Sequence, residues 1–124
     1  MSIHRLFGII ACGSGFTAVA LGAFGAHALK EALVAAGTLE VWKTAVDYQF
    51  WHALALLLCA LVRNGGPAGS TAGMLFTIGS LVFSGSLYGL ALGGPGWLGP
   101  ITPIGGLSLM GGWAALAVAF WRKR

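Results

Sequence analysis

Residues Thr44 to Cys59 read TAVDYQFWHALALLLC, in which a polar, aromatic and histidine-bearing segment continues directly into an apolar one. This pattern is typical of a helix that passes from the interface into the hydrocarbon of a membrane. Its polar side chains Asp47, Tyr48, Gln49 and His52 fall at that boundary. We expect any specific site in the protein to lie near these four side chains.

The composition indicates an integral membrane protein. Of the 124 residues, 57% are hydrophobic and 8% charged, and the mean hydropathy is +0.86; soluble domains have roughly 25% charged residues. The length suits four spans of about 20 residues each with short connections. We predict one all-α, polytopic membrane domain over residues 1–124, with four transmembrane helices in an antiparallel bundle at about 6–29, 48–62, 71–92 and 103–121.

The charges predict the topology. The net charge is +4, and the basic residues lie at the termini and in the loops rather than in a patch, which argues against nucleic-acid binding. With four spans, Arg5, Arg63 and the basic residues 122–124 share one side, whereas Lys30 and Lys43 share the other with all three acids. We therefore predict a multi-pass protein of the bacterial inner (plasma) membrane with both termini in the cytoplasm.

The first span could be mistaken for a signal peptide, because Ala26-His27-Ala28 resembles a cleavage site. The uncharged run from Leu6 to Leu29 is much longer than a usual signal-peptide core, which favours an uncleaved helix.

Glycine, proline and capping residues predict the connections. Gly37 and Thr38 predict a stop followed by the N-cap of an amphipathic helical turn before the second span. Ser70 is a candidate cap for the third span. Residues 93–103 contain three prolines and no charge, so we predict an apolar irregular loop in the interface, with Thr102 as the N-cap of the fourth span.

Small residues recur at four-residue spacing along three spans, a pattern that lets helices approach closely in lipid. The predicted packing residues are Ser14, Ala18, Gly22, Ala26, Gly85, Gly89, Gly93, Gly111 and Ala115. Cys12 and Cys59 lie in apolar runs and are expected to be free thiols. We call these rows of small residues seams. Their extent along three spans favours a structural, assembly or interaction subunit that packs against further copies or a larger membrane complex.

Four ordered blocks carry a family resemblance: GAFGAHAL at 22–29, WKTAVDYQFWHALAL at 42–56, FSGSLY at 83–88 and LGPITPIGG at 98–106. They resemble the family catalogued as domain of unknown function 423, which is similar to the eukaryotic transmembrane protein 256. The resemblance covers nearly the whole chain. It implies a four-span protein of the bacterial inner membrane, or of mitochondria in eukaryotic relatives, and it implies no particular activity.

The predicted topology places several polar side chains at one depth in the outer leaflet. This candidate cluster comprises His27, Asp47, Tyr48, Gln49, His52, Tyr88 and Thr102. The favoured interpretation is that these groups bond one another or loop carbonyls and hold the bundle together. The alternative is a pocket around His27 and His52 for a small lipophilic ligand such as a quinone or lipid, or for haem or a metal, or a role in small-solute transport.

Two observations restrict the range of functions. The inner half of the second span is purely apolar at 56–60, which argues against a polar path across the whole membrane. The chain has no HExxH, phosphate loop, CxxC or recognisable Ser-His-acid context, so we expect no enzyme activity, metal or cofactor. The expected partners are the lipid bilayer and other membrane subunits. Finally, we expect His52 to be buried beside Tyr48, and His4 to lie at the wet N-terminus.

Overall fold

The computed structural model describes residues 1–62 and 65–122, which form five α-helices and no strand. The helices are α1 (Ile3–Ala26), α2 (Lys30–Ala36), α3 (Leu39–Leu61), α4 (Gly66–Ala91) and α5 (Leu98–Arg122). Four of them, all but the short α2, are long and apolar enough to cross a membrane. The predicted all-α class with four spans is therefore confirmed. The basic residues Arg63, Lys123 and Arg124 lie outside the described residues.

Helices α1 and α3 pack antiparallel, with a constant register. Three side chains bond main-chain carbonyl oxygens across the contact: His4 Nδ1 to Cys59 (3.2 Å), Gln49 Nε2 to Ser14 (2.9 Å) and Trp42 Nε1 to Leu21 (2.9 Å). In each pair the two residue numbers sum to 63, and in the contacts of Gly8 with Ala60 and of Gly22 with Val46 they sum to 68, as expected for antiparallel helices. His4 lies in the first turn of α1, at the N-terminal end where it was expected. His4 is half-buried and supplies a donor to a carbonyl in the last turn of α3, where helix carbonyls lack intrahelical partners.

Helices α4 and α5 make the closest contact in the bundle, because glycines face large side chains. A Cβ added to Gly105 would overlap the main chain of Phe83, and one added to Gly112 would lie 2.7 Å from the Phe76 ring. The residue numbers of both pairs sum to 188, so this register is also constant. Of the predicted packing glycines, Gly85 and Gly93 have open space around them.

The remaining predicted packing residues differ in their surroundings. Gly22, Gly89 and Gly111 each face a neighbouring side chain, and Ala18 and Ala115 pack in the interior. Ala26 and Gly93 are exposed. Gly25, Gly73 and Gly79 are glycines that close helix packing requires. The search for small residues at four-residue spacing did not identify them.

The start of α4 differs from the prediction. The helix begins at Gly66 with Pro67 in its first turn, where the missing N–H has no intrahelical partner to lose. Ser70 therefore lies inside the helix, and its prediction as a cap is wrong.

The start of α5 also differs, since the helix begins at Leu98 and the irregular segment is shorter than predicted. Pro100 falls in the first turn, and Pro103 removes only one bond of the helix ladder. Thr102 is consequently not the N-cap. Its hydroxyl contacts the Leu98 carbonyl at 3.3 Å and the Ser86 hydroxyl at 2.6 Å, which joins α5 to α4.

The corner before α3 follows the prediction in position but not in chemistry. Gly37 ends α2 in the left-handed region with φ 72°, and Thr38 precedes α3. The Thr38 hydroxyl makes no cap bond and instead donates to the Ala91 carbonyl at 2.8 Å. This bond gives a partner to the carbonyl of the last residue of α4 and joins the start of α3 to the end of α4.

Candidate functional site: a groove between the first and fourth helices

Helix α3 lies between α1 and α4, and those two outer helices contact each other only slightly. The result is an open groove of about 410 Å³ with α3 as its floor. Ligand sites usually occupy roughly 300–1,000 Å³, so the groove is large enough for a small molecule or a lipid chain. In the most apolar 18-residue stretch of α1, 17% of the residues are buried, whereas 39% are buried in the corresponding stretch of α3. The other helices therefore cover α1 less than α3.

The groove has one level at which polar groups from all three helices meet. The register of α3 against α4 is given by the Ser84 hydroxyl, which donates to the Ala45 carbonyl at 2.8 Å. The same offset places Ser80 opposite Gln49, and the register of α1 places Ser14 opposite Gln49. All three residues line the groove. Gln49 is ten residues into α3, about 15 Å from its start at 1.5 Å per residue, and therefore near the middle of the helix.

Gln49 is the centre of a hydrogen-bond network in the groove. Its Nε2 donates to the Ser14 carbonyl at 2.9 Å, and its Oε1 accepts from the Tyr88 hydroxyl at 2.7 Å. One amide hydrogen of Gln49 is left without a protein partner among the described residues. The side chain thus bridges α1 and α4 and keeps one donor free.

The other hydroxyl groups of the groove are mostly engaged. Thr17 donates to the Gly13 carbonyl, Thr77 to the Gly73 carbonyl and Ser84 across to α3. Ser80 is half-buried, and no hydrogen bond joins it to any described residue. Ser80 therefore provides the second free donor, at the same level as Gln49.

His52 lies about one turn from Gln49, towards the apolar end of the groove. It is buried, as predicted from the sequence. Its Nδ1 is 2.7 Å from the Tyr48 carbonyl, and its Nε2 accepts a hydrogen bond from Trp113 Nε1 at 3.1 Å. The ring also packs against Tyr48 and Phe76, with centroid distances of 5.9 Å and 5.7 Å. These partners define the neutral tautomer with the proton on Nδ1, and they leave neither ring nitrogen free for a metal.

The structure does not bring His27 and His52 together. The contacts between α1 and α3 place His52 level with residues 11–16 of α1, at least eleven residues, or about 16 Å, from His27. His27 is exposed at the C-terminal end of α1 and does not line the groove. A common pocket around the two histidines is therefore absent from the described residues.

The other candidate residues fall into two groups. Tyr48 stacks on Phe83 with centroids 4.5 Å apart, and Thr102 bonds Ser86 on the far side of α4 from the groove floor. Asp47 is exposed and lines a smaller cavity of about 290 Å³ between α1 and α3. Of the candidate cluster, the groove thus contains Gln49, His52 and Tyr88.

Sequence reasoning missed Ser14 as a partner in the site, as well as Ser80 and Trp113. Ser14 was singled out only for packing, since its role depends on its main-chain carbonyl. The FSGSLY block drew attention to the outer half of α4, one turn beyond Ser80. Within residues 1–62 and 65–122, no group of three His, Cys, Asp or Glu side chains is placed to share a metal ion.

A family model described as "Protein of unknown function (DUF423)" matches residues 21–106, which include all of α3 and α4. The chain belongs to this family. The DUF423 chain is 40% identical to the UPF0382 membrane protein YwdK of Bacillus subtilis, covering 93% of this chain and 95% of the relative. It is also 40% identical to the UPF0382 inner membrane protein YgdD of Escherichia coli, with 97% and 92% covered.

The similarity extends to eukaryotes. A UPF0382 membrane protein of Schizosaccharomyces pombe is 40% identical over 88% of this chain and 96% of its own length. No solved structure matches this DUF423 protein. The family resemblance expected from the four sequence blocks is confirmed, and the protein is a membrane protein.

Proposed function

We propose that this DUF423 protein is a non-enzymatic membrane protein that binds a lipophilic molecule in the groove between α1 and α4. The observation that carries the proposal is the uneven polarity of the groove. Its middle contains Ser14, Gln49 and Ser80, whereas the end nearer the N-terminus of α1 is lined by Ile10 and Leu56. A groove with a polar band and an apolar end suits an amphiphilic molecule lying along the helices.

A role as a structural or assembly subunit has less support from the geometry. That role was inferred from glycine-rich seams, which would be free to dock on another protein. Of the glycines in those seams, Gly22, Gly89 and Gly111 instead contact side chains within the chain. Gly13 and Gly85 do have open space around them, and both line the groove.

Cofactor ligation and solute transport receive no support from the groove. Haem or metal ligation would require His52 to give up a hydrogen bond with Tyr48 or Trp113. Transport of a polar solute would require a polar lane, but the apolar end at Ile10, Leu56 and Phe76 interrupts it.

For orientation, we propose that both termini face the cytoplasm of a bacterial inner membrane. Arg5 lies at the start of α1 and Arg122 at the end of α5, on the same side of an antiparallel bundle. Lys30 and Lys43 lie at the opposite end, with Glu31, Glu40 and Asp47 among them. The excess of basic residues on the terminal side supports a cytoplasmic assignment.

Photocrosslinking tests the binding function. The full-length protein is placed in phosphatidylcholine vesicles that contain a small fraction of a diacylglycerol with a diazirine midway along one acyl chain, and labelled peptides are mapped by mass spectrometry. We expect labelling in the groove, at Thr77 to Tyr88, to saturate as the probe fraction rises. Labelling at the exposed Leu107 of α5, which only meets bulk lipid, should rise in proportion to the probe.

A matched pair of glycine variants sharpens the test. Gly85→Leu places a side chain in the open groove, whereas Gly15→Leu places one in open space outside it. We expect Gly85→Leu to reduce groove labelling several-fold and Gly15→Leu to leave it unchanged. Groove labelling that follows the pattern of Leu107 in both variants would contradict the proposed function.

A further inference from the structure

We propose that the ligand of the groove is a neutral lipid with a hydrogen-bond-accepting carbonyl group, which binds the Ser80 hydroxyl and the free amide hydrogen of Gln49. This inference rests on the proposed function, because it presumes that the groove binds a lipophilic molecule. It adds the chemistry of the head group and its position along the groove.

The lining of the groove requires a neutral molecule. It contains no Asp, Glu, Lys or Arg side chain, and the imidazole of His52 already has partners on both nitrogens. A charged head group in this position would have no counter-charge, and an unpaired charge inside a membrane is costly. Phosphate, carboxylate and ammonium head groups are therefore excluded from the polar band.

The hydrogen-bond inventory of the groove specifies an acceptor. The hydroxyls of Thr17, Thr77, Ser84 and Tyr88 all donate to protein acceptors. The free donors are the Ser80 O–H and one N–H of Gln49. A donor without a partner is unfavourable in hydrocarbon, where no water replaces it, so the site favours a ligand that brings a carbonyl oxygen.

The surroundings of the two donors decide which lipids can supply that carbonyl. Gln49 lies two residues, about 3 Å, beyond the exposed Asp47 towards the apolar end of α3, and Ser80 lies at its level. The ester groups of a phospholipid adjoin its phosphate, for which the lining of the groove offers no counter-charge. The carbonyl therefore belongs to a lipid without a charged head group, such as an isoprenoid quinone or a diacylglycerol.

The rest of the ligand follows from the shape of the groove. From the level of Gln49 towards the N-terminal end of α1, the lining becomes apolar at Ile10, Leu56 and Phe76. A hydrocarbon chain fits this end, and the carbonyl then faces Ser80.

Binding measurements on the delipidated full-length protein in detergent test the inference. The probes are decyl-ubiquinone, dioctanoylglycerol and decylbenzene, of which the last has a ring and chain but no carbonyl. Affinity is measured by native mass spectrometry and by the shift of the thermal midpoint. We expect at least one carbonyl probe to bind more tightly than decylbenzene, and the comparison of the first two identifies the source of the carbonyl.

The decisive variant is Ser80→Ala, which removes a donor that makes no bond within the described protein and should therefore fold normally. We expect it to weaken binding of the carbonyl probe about three- to tenfold, as the loss of one neutral hydrogen bond does, and to leave decylbenzene unaffected. Ser70→Ala, on the same helix outside the groove, serves as the control.

Three outcomes are informative. Ser80-dependent binding of either carbonyl probe supports the inference. Equal binding of all probes, or binding that Ser80→Ala does not change, overturns it while the photocrosslinking result keeps the proposed function. If the groove also fails to show saturable labelling, the proposed function fails and the inference fails with it.

Discussion

The indole Nε1 of Trp113 in α5 donates a hydrogen bond to Nε2 of His52 in α3, across 3.1 Å. His52 is 6% exposed and Trp113 is 47% exposed. The buried imidazole therefore accepts the hydrogen bond of an indole whose other side is exposed. Helices α3 and α5 otherwise have few contacts among the described residues. This bond therefore links two helices that are separated by α4 through most of their length.

We predict that His52→Ala lowers the stability of the bundle by about 3 kcal/mol. The change removes a buried ring from its contacts with Tyr48 and Phe76 and leaves the Trp113 N–H without an acceptor in hydrocarbon. The measurement is the thermal unfolding midpoint of the purified protein in detergent.

Two further histidine variants calibrate this result. His27→Ala should have no measurable effect, because His27 is exposed. His4→Ala should fall between the two, since it removes one bond of 3.2 Å to the Cys59 carbonyl. Equal midpoints for the His27 and His52 variants would contradict the described role of His52.

We predict that haem and Zn²⁺ leave the thermal midpoint unchanged. Both nitrogens of His52 have protein partners, and His27 lies at least about 16 Å away along the bundle axis, so no pair of histidines is available to either ligand. Titration with haem followed by absorption spectroscopy checks this. A Soret shift that disappears in His52→Ala would show that the ring is released to bind the metal.

Much of the fold could be predicted from the sequence because hydropathy and turn chemistry are local properties. The four apolar spans and the break at Gly37 belong to this class. The start of α5 could not be predicted in the same way. Proline residues at 100 and 103 argue locally against a helix. The first turn tolerates Pro100, Pro103 costs only one bond of the helix ladder, and the packing of Gly105 on Phe83 favours a helix that has already begun.

The candidate site shows the same division. Gln49 and Tyr88 were recognisable as polar side chains in an apolar context. Their bond to each other depends on the register of two helices, and the bond of Gln49 to Ser14 uses a main-chain carbonyl that any residue would offer. His27 was grouped with them because the depth of a residue was inferred from span boundaries. The observed register places it beyond their level.

We predict that Gly105→Ala destabilises the protein by about 1–3 kcal/mol, because its Cβ would overlap the main chain of Phe83, which can move only if α4 and α5 separate. Gly85→Ala should have little effect, since its Cβ meets nothing within 4 Å. Thermal unfolding of both variants in detergent provides the comparison. A neutral Gly105→Ala would argue against this close approach of the two helices.

We predict that a fluorescent protein fused after Arg124 folds and fluoresces when the chain is expressed in Escherichia coli, whereas alkaline phosphatase fused there is inactive. This follows from a cytoplasmic C-terminus, supported by the basic residues on the terminal side. Fusions after Gly37, between α2 and α3, should show the opposite pattern. Active phosphatase at the C-terminus would reverse the proposed orientation.

The last prediction concerns the hydrogen bond between Tyr88 and Gln49, which closes the polar end of the groove. Tyr88→Phe removes the donor at 2.7 Å and leaves Gln49 Oε1 without a partner, while the aromatic ring can keep its edge contact with Trp42. Gln49→Leu removes the acceptor and also the bond to α1. A double-mutant cycle on the unfolding free energy should therefore give a coupling of about 1 kcal/mol.

Thr44→Ala provides a control for that cycle, because its hydroxyl bonds only the Glu40 carbonyl on the exposed face of α3. Its effect should add to that of Tyr88→Phe without coupling. If Tyr88 and Gln49 were equally uncoupled, the two side chains would not share a bond in the membrane. The free amide hydrogen of Gln49 would then have no fixed position from which to recognise a ligand.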